Sequence, residues 1–210
     1  MSITSFHPAH HGFKFANQFV NHVVRVPALG IDITTYGRCG GMAFAALDYW
    51  HNNLPIPQDT SLPADGTPLG DYIYNRLIQS ILANAFKYFD FMRLADHPTW
   101  FSKGIGRITR EQEFPLLKSL IDQGQPCALA LTKSRSIFEF HNDHQVVAYG
   151  YEEGDPYSSI LIYDNIRPNE EHRLTFTTAY NPGDRPVHHS LTGDWRGFFV
   201  EAYAPQMPPV

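Results

Sequence analysis

Three residues of this chain have types and settings that could do chemistry: Cys39, His144 and Asp164. A thiolate attacks a carbonyl carbon, an imidazole takes and returns the proton, and a carboxylate holds the imidazole in one tautomer. Asn165 and Asp143 are alternatives for the carboxylate's place. A metal reading competes at the same position, because His141, Asp143 and His144 are ligand types in a short span. In a strand, however, positions 141 and 144 face opposite ways. His7, His10 and His11 also cluster, beside Pro8 and without an obvious fourth ligand, so neither a metal nor another cofactor is expected.

The elements that must position these residues follow from periodicity. Cys39, Met42, Ala43, Ala46, Leu47 and Trp50 form one apolar face of a helix over 39–50. Gly37 favours a turn, so Cys39 stands at the helix start. Unpaired N–H groups and the helix dipole stabilise a thiolate there. Gly40 and Gly41 are poor helix formers, each costing about 1 kcal/mol relative to Ala. Their presence implies a close approach to the backbone, with room for a substrate chain over the sulfur. His144 opens the strand 145–151, on the same face as Val146 and Ala148, which is expected to pack on the helices. A hairpin centred on residue 154, where Gly154-Asp155-Pro156 signals a turn, opposes His144 to Asp164 at the end of the strand 159–163. Their Cβ atoms would then be about 5 Å apart.

Elsewhere, 53–70 reads as a Pro/Gly-rich loop and 70–94 as a long amphipathic helix inward-facing at Ile73, Leu77, Ile81, Leu82, Ala85, Phe89 and Met92. Residues 95–108 read as loop. Thr109 and Gln112 suggest a capping box for a helix over 111–122, with Pro115 marking its first turn or a kink. Cys127–Thr132, Leu174–Thr178 and Gly197–Tyr203 are further strands, Cys127 reads as inert core, and His188-His189 falls in a loop. Helices first and strands after predict an α+β fold. One domain, 1–210, is expected: an N-terminal segment 1–35, a mainly helical part 36–126, a mainly β part 127–204 and a loose tail 205–210.

Composition narrows the functions. The chain of 210 residues is 43% hydrophobic and 18% charged, with a formal charge of −5 and no Lys/Arg run, which argues against nucleic-acid binding. No apolar stretch approaches the ~20 residues that span a bilayer. Two cysteines do not make a disulfide scaffold. The first residues have neither a basic n-region nor an apolar h-region, so a cytoplasmic location, or export without a Sec signal peptide, is expected.

The segment Tyr36-Gly37-Arg38-Cys39-Gly40-Gly41-Met42-Ala43-Phe44 resembles the nucleophile segment of papain-like cysteine peptidases. His144-Gln145-Val146-Val147-Ala148-Tyr149-Gly150-Tyr151 with Ile162-Tyr163-Asp164-Asn165 is similar to the His and Asp strands of peptidases that clip double-glycine leaders. With the ending Gly197–Tyr203, most of the chain resembles an uncharacterised microbial family related to them. The resemblance implies a papain-like fold and a Cys39–His144–Asp164 triad hydrolysing peptide amides in a protein or peptide substrate. In that superfamily a Gln shortly before the Cys helps hold the oxyanion. Positions 33–35 here are Ile, Thr and Thr, and the nearby Gln is Gln18. The same residues would serve a Cys-dependent acyltransferase or deamidase, and the fold without turnover would serve as a binding or effector module.

Overall fold

The computed structural model describes residues 1–26, 31–179 and 187–210, and for 20–26 and 31–36 the backbone alone. In chain order the elements are β1 (Ser2–Ile3), α1 (Pro8–His11), β2 (Val20–Val26), β3 (Ile31–Tyr36), α2 (Cys39–His51), α3 (Pro68–Arg93) and α4 (Ile105–Ile108). A π turn, Thr109–Glu113, leads into α5 (Phe114–Asp122). Then come β4 (Cys127–Thr132), a 3-10 turn Ile137–Asn142, β5 (His144–Glu152), β6 (Tyr157–Tyr163), β7 (His172–Thr177), β8 (Val187–His189), β9 (Gly193–Trp195) and β10 (Gly197–Val200). The fold is α+β, helices with an antiparallel sheet ordered β10-β4-β5-β6-β7-β8-β9. β1 pairs beside β5, and β2 with β3 forms a separate hairpin inside the expected N-terminal segment.

The sheet curls on itself. β9 and β10 lie at opposite ends of the strand order yet are joined by Arg196 alone, whose N–H donates to Thr132 O on β4 at 3.0 Å. Inside the curl, Val146, Ala148, Ile160, Ile162, Leu174, Phe176, Trp195 and Phe198 pack under Phe114, Leu117 and Ile121 of α5. The other face of β5, with Val147 and Tyr149, packs on α2. The face that carries Val146 and Ala148 thus belongs to the curl and α5, and the residues between them meet α2.

Local chemistry explains the boundaries. Thr67 caps α3, its Oγ1 accepting from Gly70 N at 3.2 Å with Pro68 in the first turn, so the helix starts before residue 70. Its buried stripe runs through Ile73, Leu77, Ser80, Asn84, Tyr88 and Phe91, whereas Leu82, Ala85 and Phe89 are exposed. Polar residues take inward positions because they have partners there: Asn84 Oδ1 accepts from Ala202 N at 2.7 Å. Pro115 does stand in the first turn of α5. Thr109 is no cap; its Oγ1 donates to Phe198 O and accepts from Phe198 N, both at 3.2 Å. The last predicted strand ends at Val200, because Ala202 N and O are taken by Asn84.

The expected loose tail runs along α2. Asp48, fully buried, accepts from Tyr72 Oη (2.8 Å), Tyr203 Oη (2.7 Å), Gln206 N (2.9 Å) and Arg76 Nη2 (3.1 Å). Tyr49 Oη donates to Pro209 O at 2.7 Å. Among the described residues no helix is long and apolar enough to cross a membrane.

Candidate active site

Cys39 is the first residue of α2. Gly37, at φ +96°, makes the turn that only glycine enters freely, and a Cβ there would lie 2.5 Å from Asn17 Nδ2. Asn17 Oδ1 accepts from Arg38 N at 2.6 Å. Arg38, at the N-cap of α2, makes no side-chain cap hydrogen bond to the first turn, whose N–H groups lie beside the sulfur.

The glycines after Cys39 are required, though not by substrate. A Cβ on Gly40 would sit 2.0 Å from Gln145 Oε1 and 2.3 Å from Ser80 Oγ, and one on Gly41 would sit 2.0 Å from Ile73 O on α3. The space expected for a substrate chain is filled by the protein's own strand and helix. A cavity of about 30 Å³ remains beside the sulfur, lined by Gly37, Leu77, Tyr88, Phe140 and Gln145 among others.

The β5–β6 ladder opposes Val147 to Tyr163 and Ala148 to Ile162, two residues out of the expected register, with a bulge between Ala148 and Gly150. An even shift keeps each side chain on its face. His144 and Asp164 therefore remain on one face as diagonal neighbours, and Nε2 of the ring lies 2.8 Å from Asp164 Oδ1. Ile166 N also donates to Oδ1 at 2.9 Å. Burial alone would lower the His144 pKa, but Asp164, with Cys39 as a further hydrogen-bonding and charge partner, pushes it up to about 10. Burial alone would raise the Asp164 carboxyl; His144, His189 and the Ile166 N–H instead hold it well below the usual carboxylate range. With Nε2 engaged by Asp164, Nδ1 is the ring nitrogen left for the sulfur. Trp195 stacks over the ring, centroids 6.2 Å apart.

The alternatives for the third position have other duties. Asn165 Nδ2 donates to Cys39 O (3.1 Å) and Gln145 O (3.2 Å), tying the helix start to the strand. Asp143 accepts from Lys133 N (2.7 Å), Ser134 N (2.8 Å) and Ser134 Oγ (2.6 Å). The ring nitrogens of His7 and His11 serve backbone N–H groups, and among the described residues no three His, Cys, Asp or Glu side chains are grouped to hold a metal ion.

Sequence reasoning did not single out three neighbours. Asn17 is one. The second is Gln145, whose orientation the network dictates. Ser80 Oγ donates to Leu77 O (2.9 Å), so it accepts from Gln145 Nε2 (3.1 Å), and Glu201 Oε1 takes the other amide hydrogen at 2.6 Å. Gln145 Oε1 is thereby turned to Cys39 and accepts from its thiol at 3.8 Å. Burial pushes Glu201 up to about 8, against the hydrogen bonds from Gln145 and Tyr88. The third is His189, expected in a loop but placed on β8, with Nε2 2.9 Å from Asp164 Oδ2 at an angle too oblique for a full hydrogen bond. For Gln145 the available signal was its place next to His144 on the opposite strand face. The side chains of Ile33, Thr34 and Thr35, where the oxyanion Gln was sought, lie outside the described residues. Comparison with family models, characterised proteins and solved structures gives no significant match.

Proposed function

We propose that the protein is a papain-like thiol hydrolase that cleaves amide bonds in a protein or peptide through Cys39, His144 and Asp164. The observation that carries this reading is the His144 Nε2–Asp164 Oδ1 contact of 2.8 Å, which leaves the other ring nitrogen, Nδ1, to Cys39. In the reaction, the Cys39 thiolate adds to the amide carbon. The Cys39 backbone N–H, at the positive end of α2, is one donor to the developing oxyanion. His144 passes its Nδ1 proton to the leaving nitrogen as the C–N bond breaks, giving an acyl-thioester and a free amine. Neutral His144 then takes a proton from water, which attacks the thioester; the acid leaves and the thiol is regenerated. An amine in place of that water makes the enzyme an acyltransferase, and a glutamine side chain as substrate makes it a deamidase.

A second reading, a binding or effector module without turnover, is favoured by the Gln145 carbonyl, since an acceptor at 3.8 Å supports the neutral thiol. The rate of iodoacetamide modification of Cys39 against pH separates the two. A thiolate–imidazolium pair reacts well below pH 7, with Cys39→Ala as the blank. Cys127, buried and pushed up to about 12, stays silent. Modification that rises only above pH 8 would end the hydrolase reading.

A further inference from the structure

Asp164 has two oxygens and the triad uses one. Oδ1 takes His144 and Ile166 N, while Oδ2 faces His189 at 2.9 Å, and both side chains are 0% exposed. His189 Nδ1 accepts from Leu191 N (3.0 Å) and Thr192 N (3.4 Å). A ring nitrogen that accepts carries no hydrogen, so the His189 proton lies on Nε2, which is 2.9 Å from Asp164 Oδ2 though off the line of a full hydrogen bond. We propose that His189 is a positioning residue for this site: its Nε2–H fixes the plane of the Asp164 carboxylate so that Oδ1 stays on His144.

The inference deepens the catalytic reading and rests on it. The terminal torsion of an aspartate is broad and two-fold, so a carboxylate held through one oxygen swings. A buried anion with one oxygen bare is also costly, and the cost falls on its charge. Among the described residues, the groups facing this pair are His144 from β5, Ile166 N beyond the β6 end, and His172 from β7, whose ring centre is 5.8 Å from that of His189; Tyr163, next in the chain to Asp164, turns its hydroxyl to Phe13 N. Glu170 lies 3.8 Å from the far side of His172. Among the described residues, the imidazole of His189 is the group that comes to Oδ2, at 2.9 Å.

NMR of the chain with isotope-labelled histidine tests this without turnover. In the wild type, His189 is expected as the Nε2–H tautomer. In His189→Met, the His144 titration midpoint should fall by about one pH unit, a tenfold loss of the imidazolium on losing the N–H contact to Oδ2. His189→Asn, too short to reach Oδ2, should give the same fall, and His189→Gln should restore the midpoint. A folded Met or Asn variant with an unmoved His144 midpoint overturns the proposal. So does a wild-type His189 protonated on Nδ1, which decides the matter even if the variants fail to fold. The two readings fail separately: Cys39 alkylating only above pH 8 sinks the catalytic one, and an unmoved His144 beside a reactive Cys39 sinks this one alone.

Discussion

Asp164 concentrates the electrostatics of the site at a single side chain. A fully buried carboxylate is expensive, and here three N–H groups on His144, His189 and Ile166 surround it. Asp164→Asn removes the charge that keeps His144 protonated, so Cys39 alkylation at pH 6 should fall about 10–10³-fold, the effect of one to three pKa units. The same exchange has a stability signature. A carboxylate held below its ordinary range favours the folded state above about pH 4, and that contribution is lost as pH falls through the lowered value. The acid limb of a thermal-unfolding profile should therefore be shallower in Asp164→Asn than in the wild type. Cys39, His144 and Asp164 stood out in the sequence because a helix start and a strand end are local patterns. His189 and Asn17 did not, because their partners lie 25 and 21 residues away, with whole strands between them, a separation that no periodicity spans.

At the scale of elements, two glycines set how close α2 comes to its neighbours. The oddity of Gly40-Gly41 in a helix was legible as a sign of close approach, but what approaches was not. At Gly41 the obstacle is the α3 backbone, which has nowhere to go; at Gly40 it is the end of the Gln145 side chain. Gly41→Ala should cost about 1–3 kcal/mol in denaturant unfolding and more than Gly40→Ala, as overpacked sites do. Gly40→Ala should instead disturb Gln145, and hence the thiol. The hairpin arithmetic found the right face and missed the register by two, since the Tyr149 bulge and a longer turn are invisible to a period of two. β1, β8 and β9 have two or three residues each and escape any pattern search; they exist because neighbouring strands pair with them.

At the scale of the whole molecule, Asp48 is the knot. It joins α2, α3 and the C-terminal run through Tyr72, Arg76, Tyr203 and Gln206. Asp48→Ala leaves Arg76, itself buried, without its counter-charge, and should destabilise the fold by about 3–5 kcal/mol. A lower denaturant midpoint with an unchanged slope would register it. No sequence pattern announces such a knot, because an acid inside an apolar helix and a basic residue 28 positions later become a pair only once packed. The site depends on late residues in the same way. His189 braces Asp164, Glu201 holds Gln145, and Gln206 N donates to Asp48 within α2. While the chain is still threading out of the ribosome, Cys39, His144 and Asp164 are already made but have none of these supports. The arrangement around Cys39, His144 and Asp164 is therefore completed last, after His189, Glu201 and Gln206 have emerged and docked.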